Sequence, residues 1–147
     1  MDLTLVSQSP YSDEKLVVYV KSGFFIEFSD HMKIIKREEA PRLETVKGRK
    51  GEILMSGEKC MMMVNTIEPG IPTPPHSHPH EQIGYLIEGK STLFIDGETR
   101  EMEAQSTFLV LPNASHNFDA TGGKPAVLVE AFAPPREDYL ERAGWKE

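Results

Sequence analysis

The chain has 147 residues, 16 basic against 23 acidic side chains and a net charge of −7. That length suits one domain whose core needs no disulfide, and the acidic balance argues against general nucleic-acid binding. No apolar run reaches the roughly 18 residues of a membrane span and no basic-then-apolar leader opens the chain, so the expectation is a soluble, cytoplasmic protein without a membrane partner.

Residues 1–14 are polar, and Ser9 to Asp13 reads as irregular structure. Leu16–Val20 and Phe24–Phe28 are β-branched and aromatic, and Lys21-Ser22-Gly23 between them signals a hairpin. Its apolar content needs a partner surface, either its own barrel or a second subunit, and a homodimer is expected. Residues 31–41 are ambiguous between a short helix and a strand, and His31, with no partner motif, reads as structural. Thr45 to Gly51 is basic and glycine-punctuated; it reads as a solvated turn or as a basic lip over an anion site. Strands are expected at Gly51–Gly57 and Lys59–Glu68. The single cysteine, Cys60, cannot form an internal disulfide, and its apolar neighbours suggest a buried, inert thiol.

A proline-bearing turn, Gly70–Pro75, leads to further strands at Gln82–Glu88 and Ser91–Ile95. Asp96-Gly97 signals a hairpin, followed by a strand at Thr99–Met102. Thr107–Leu111 reads as a buried strand, and His116–Asp119 and Val127–Ala133 as another pair. Pro134 to Gly144 is the one clear helix: proline opens it, acids fill the first turn, and Gly144 stops it. Short strands with turn signals and little helical periodicity indicate an all-β sandwich or barrel.

Chemistry concentrates between Gly70 and Gly89, where His76, His78 and His80 alternate. The bland reading is a polar surface loop. In an extended chain, however, alternate residues face one way, so His76 and His78 can aim imidazoles at one point. Imidazole is a common ligand for transition metals. Gln82 shares this parity, whereas Glu81 faces the opposite side unless a bulge near Pro79 reverses them.

The spacing of Gly70, His76, His78, Gln82 and Gly89 resembles the first motif of the cupin superfamily, with Gln82 at the usual glutamate position. Pro112, Asn113 and His116 resemble the second motif, while Gln105, Leu111 and Ala120 depart from it. The resemblance implies a cupin-type jelly-roll β-barrel over residues 36–147, with residues 1–35 as an extension carrying the hairpin. It also implies one divalent transition metal (Zn, Ni, Fe, Mn or Co) held by His76, His78, Gln82 and His116, with His80 outside that set. Such a neutral donor set leaves the ion its full charge, which suits anionic substrates and Lewis-acid chemistry.

Near the end of the chain, Glu130, Phe132 and Arg136 add a second constellation. Taken singly, Phe132 reads equally well as core and Arg136 as a residue at a helix start. Together with the His-His-Gln-His set, they resemble the KdgF-type cupins of pectin and alginate breakdown, with Glu130 replacing that family's Asp. The resemblance implies carbohydrate metabolism: ketonisation of 4,5-unsaturated uronates, or more broadly action on a small anionic sugar or keto acid. Arg136 would clamp the carboxylate, Glu130 would move the proton, and Phe132 would pack on the sugar. The alternatives are a cupin dioxygenase and a non-catalytic small-molecule-binding cupin.

Overall fold

The computed structural model describes residues 4–6, 17–20, 24–27 and 33–146. The chain divides into two units, Met1–Ile34 and Ile35–Glu147. In the first, β1 (Thr4–Val6), β2 (Val17–Val20) and β3 (Phe24–Glu27) form an antiparallel sheet in that order. Val18 lies opposite Leu5 on one side and Ile26 on the other. The expected hairpin is therefore β2-β3. Its turn, Lys21–Gly23, and the expected strand ends Leu16 and Phe28 lie outside the described residues, as do Ser9–Asp13 and His31. Strand β1 lies in the polar stretch 1–14, for which no strand is expected; three residues are too few to display a period.

The second unit contains β4 (Arg42–Val46), β5 (Arg49–Ser56), β6 (Met61–Ile67), β7 (Glu81–Glu88), β8 (Lys90–Ile95), β9 (Glu98–Glu103), β10 (Thr107–Val110), β11 (His116–Thr121), β12 (Ala126–Ala133) and helix α1 (Glu137–Ala143). Six strands form one antiparallel sheet in the order β10-β7-β12-β6-β5-β4, and three form another in the order β11-β8-β9. This is the all-β barrel that the strand pattern indicates, of the jelly-roll type that the resemblance implies. A strand packed on one face buries every second residue. Along β12 the buried residues are Ala126, Leu128, Glu130 and Phe132; along β7 they are Gln82, Gly84 and Leu86.

Leu86, Val110 and Leu128 from the larger sheet meet Leu93, Met102 and Phe118 from the smaller one in a single apolar cluster. Each such side chain, fully buried, contributes roughly 1.5–3 kcal/mol. Ile53, Met61, Met63 and Phe132 form a second cluster, capped by Tyr139, Leu140 and Trp145. Helix α1 is fixed there by its ends: Glu137 and Asp138 in the first turn, and Gly144 with φ 66° as a left-handed stop.

Gly89 turns β7 into β8 with φ 85°, and a Cβ there would lie 2.3 Å from the carbonyl oxygen of Pro125. Only glycine fits that approach. Gln105 is the reverse case: it holds φ 77° with a side chain attached, at the place where the motif usually has glycine. That conformation costs about 1–2 kcal/mol. The backbone bond from the Gln105 amide to the Leu86 carbonyl, 2.8 Å long, helps to hold it.

Several local expectations change. Among the described residues of the region 31–41, the one element is a 3-10 turn, Arg37–Glu39. The basic run 45–51 is not one loop: β4 extends to Val46, the turn is Lys47-Gly48, and β5 begins at Arg49. Alternation then places Arg49 inside and Lys50 outside. Cys60 is exposed, not buried. It sits in the β5–β6 turn, where its carbonyl accepts from the Gly57 amide at 2.9 Å. Outward-facing Met62, Ile83, Tyr85, Ile87, Leu109 and Leu111 leave apolar surface on the larger sheet. Among the described residues, no helix is long and apolar enough to cross a membrane.

Candidate metal centre

Three hydrogen-bonded locks bring the histidines together. Thr73 ties the turn before them to β11: its amide donates to Asp119 Oδ1 at 3.1 Å and its hydroxyl to the Phe118 carbonyl at 3.0 Å. His76 and His116 then exchange both backbone hydrogen bonds, each 2.9 Å long. The amide of Asn113, at φ 66°, donates to the His78 carbonyl at 2.8 Å. One ligand nitrogen from each of His76, His78 and His116 falls within 4.8 Å of the others.

The ring protons are assigned by their partners. His78 Nδ1 lies 3.1 Å from the His80 carbonyl oxygen, and His116 Nδ1 lies 2.9 Å from that of Ala114. A carbonyl only accepts, so each neutral ring carries its proton on Nδ1 and leaves a lone pair on Nε2. Gln82 Oε1 lies 3.1 Å from both Nε2 atoms. The amide orientation follows from its other end, where Gln82 Nε2 donates to Glu130 Oε1 at 2.5 Å. Three acceptors thus converge with no hydrogen between them. A bound cation satisfies such an arrangement, and the imidazole and amide donors suit a divalent transition ion.

Electrostatics point the same way. Burial, then His116 and Arg49, push His76 down to about 4. Burial, then Arg136 and His116, push His78 to about 4. His116 is lowered chiefly by burial. All three rings are therefore neutral at pH 7, the form that binds metal. Burial raises Glu130 above the usual carboxyl range, against the pull of the Asn65 amide.

Gln82 is 3% exposed on the inner face of β7, whereas Glu81 points outward. The alternation runs without a reversal of the two residues. Glu130 is fully enclosed; Gln82 donates to one of its oxygens and Asn65 Nδ2 to the other. Phe132 is also buried, its ring edge-on to His78 at a centroid distance of 5.7 Å. His80 supplies its carbonyl to His78. Arg136 stacks 3.9 Å over the Tyr139 ring and makes a two-pronged pair with Asp138 at 2.8 and 2.7 Å.

A cavity of about 200 Å³ lies beside these residues, lined by His76, Arg136, Arg49, Thr73, Tyr139 and Arg142 among others. Glu130 and Phe132 do not line it. A larger hollow of about 560 Å³, along Arg42, Glu44, Lys50 and Glu52, contains none of the candidate ligands. Drug-sized ligands occupy roughly 300–1,000 Å³, so the smaller cavity suits one ring or a short chain and no polymer.

Sequence reasoning missed Asn65 and gave Arg49 no individual role. Asn65 has a signal: it is the one amide side chain inside the largely apolar strand Met61–Ile67, and such a residue, when buried, needs a partner. Arg49 shows none until the start of β5 is known.

The cupin domain family profile matches residues 63–132. The pectin degradation protein KdgF of Dickeya dadantii (strain 3937) is 29% identical over 104 residues, covering 70% of this chain and 94% of that protein. An RmlC-like cupin from Shewanella frigidimarina has a similar structure, with TM-score 0.66 and 25% identity over 76% of this chain and 96% of the other. The structure of KdgF from Halomonas sp. gives TM-score 0.66 and 23% identity, covering 74% of this chain and all of the other.

Proposed function

Because the chain carries a cupin domain and resembles the KdgF-type cupins, we propose that it is a metal-dependent enzyme converting 4,5-unsaturated monouronates to their linear keto form. One observation carries this reading: three neutral imidazoles and an amide oxygen converge beside a sugar-sized cavity that also holds a buried arginine.

In this reading His76, His78, Gln82 and His116 hold the ion. When bound, it supplies an electrophile that polarises a substrate oxygen. Arg136 offers a guanidinium donor to the substrate carboxylate. Ring opening breaks the bond between the anomeric carbon and the ring oxygen, and ketonisation places a proton on C4. The anomeric hydroxyl loses one proton and C4 gains one, so the change is an isomerisation that a single acid–base group can serve. Glu130 takes that role, with burial favouring its protonated form. It reaches the substrate once one of its two amide bonds is displaced. Phe132 fixes the His78 ring as the wall of the site.

The test follows the ultraviolet absorbance of the substrate's conjugated enol ether. Metal-replete protein should accelerate its loss, with the linear keto form appearing by NMR. Decay at the spontaneous rate contradicts the reading, and oxygen uptake by iron-loaded protein would replace it with a dioxygenase.

The working form we propose is a homodimer that uses the hairpin β2-β3. Light scattering on the full chain and on one beginning at Lys33 tests this; an unchanged state after truncation excludes the hairpin as the interface.

A further inference from the structure

We infer that Arg49 is a specificity-determining residue of the same cavity, binding the carboxylate of a small organic acid together with the remaining free donor of Arg136. The inference rests on the proposed function only in taking this cavity as the substrate site; it does not require that ketonisation be the reaction.

Arg49 projects inward from the first residue of β5 and is 7% exposed. Its Nη2 donates to the Phe118 carbonyl at 2.8 Å and to Thr73 Oγ1 at 3.3 Å. Its Nε is buried and has no hydrogen-bond acceptor in the structure. Among the described residues, no carboxylate forms an ion pair with it. The Phe118 ring lies 5.9 Å from its guanidinium carbon, adding a face but no charge. The hydrogen-bond partners of Arg49 are all neutral, and the buried acid that feels its charge, Glu130, is hydrogen-bonded to Gln82 and Asn65 instead. A buried cation so placed is under-compensated and is expected to have an anionic partner in the working state.

Arg136, the arginine legible in the sequence, is differently placed. It is 8% exposed, yet Asp138 already engages its Nε and Nη2 and balances its charge. Only Nη1 is left without a partner. The two guanidiniums line one cavity with His76, and each has an unpartnered, buried donor. In the inferred working state one carboxylate accepts from both, which requires the two enclosed nitrogens to turn toward the cavity. The free positive charge comes from Arg49, so a neutral sugar of the same size is excluded by leaving that charge unpaired.

Isothermal titration of metal-loaded full-length protein with saturated galacturonate, an unreactive monouronate, tests the assignment. Wild type should bind it, more weakly at high salt, and galactose should not bind. Arg49→Gln should weaken binding at least tenfold while its metal content and circular dichroism stay those of wild type; Arg49→Lys should recover part of the affinity. If Arg49→Gln fails to fold, the Arg49 Nε–H resonance of ¹⁵N-labelled wild type, assigned with Arg49→Lys, replaces it and should shift on addition of galacturonate. Unchanged affinity in folded Arg49→Gln, an unmoved resonance at saturation, or no binding by wild type would each overturn the assignment. Galacturonate binding without turnover of the unsaturated uronate would defeat the ketonisation reading and leave Arg49 standing.

Discussion

Gln82 and Glu130 meet across the β7–β12 pair, with the Gln82 amide nitrogen 2.5 Å from Glu130 Oε1. This contact decides what the opposite end of the amide presents: an oxygen, aimed at His78 and His116. Asn65 holds the far side of Glu130. The buried acid therefore sets the donor atom of a candidate ligand.

Glu130→Gln is nearly isosteric, and the unpartnered Oδ1 of Asn65 can accept the new amide after a rotation. The fold should survive. Turnover should fall by roughly two to four orders of magnitude, the range for loss of general acid–base catalysis, with a smaller change in KM. Steady-state kinetics and a melting curve check both halves. Wild-type kcat in this variant would remove Glu130 from proton transfer.

Arg136→Ala should act mainly on KM. In the proposed function the guanidinium binds the carboxylate in ground state and transition state alike, so kcat should change little while KM rises about tenfold or more. A kcat loss with unchanged KM would show a transition-state role instead.

The depressed histidines give a pH dependence with a defined sign. In the metal-free protein, His76 and His78 protonate near 4, while an unfolded chain takes up those protons near 6.5. Between these values the unfolded state holds more protons, so stability rises with pH. The chelated protein should melt at falling temperatures as pH drops from about 6.5 to about 4 and should be flat above 7, apart from groups that titrate there. A melting temperature constant across the acid window would contradict neutral, buried rings.

How much of this was legible depends on whether a residue's face could be read without knowing where strands begin. Gln82 over Glu81 was legible because the His-x-His spacing supplies its own parity reference. Glu130 and Phe132 likewise share a face within one continuous apolar strand. Arg49 was hidden because Thr45–Gly51 has the composition of a solvated turn; only the two-residue hairpin at Lys47-Gly48 separates the inward Arg49 from the outward Lys50. Cys60 was misread because the apolar run Met61–Val64 was extended one residue into a turn. Asn65 went unnoticed since its partner, Glu130, is 65 residues away.

Metal content addresses the central claim most directly. Protein purified without a histidine tag should contain one divalent ion per chain, and a chelator should lower its melting temperature because the ion binds the folded state. His116→Ala removes one of the three converging imidazoles and should abolish stoichiometric metal while the barrel still folds. One ion per chain in wild type and none in His116→Ala is the predicted result. Full occupancy in His116→Ala, or a metal-free wild type that no added ion stabilises, would contradict the account.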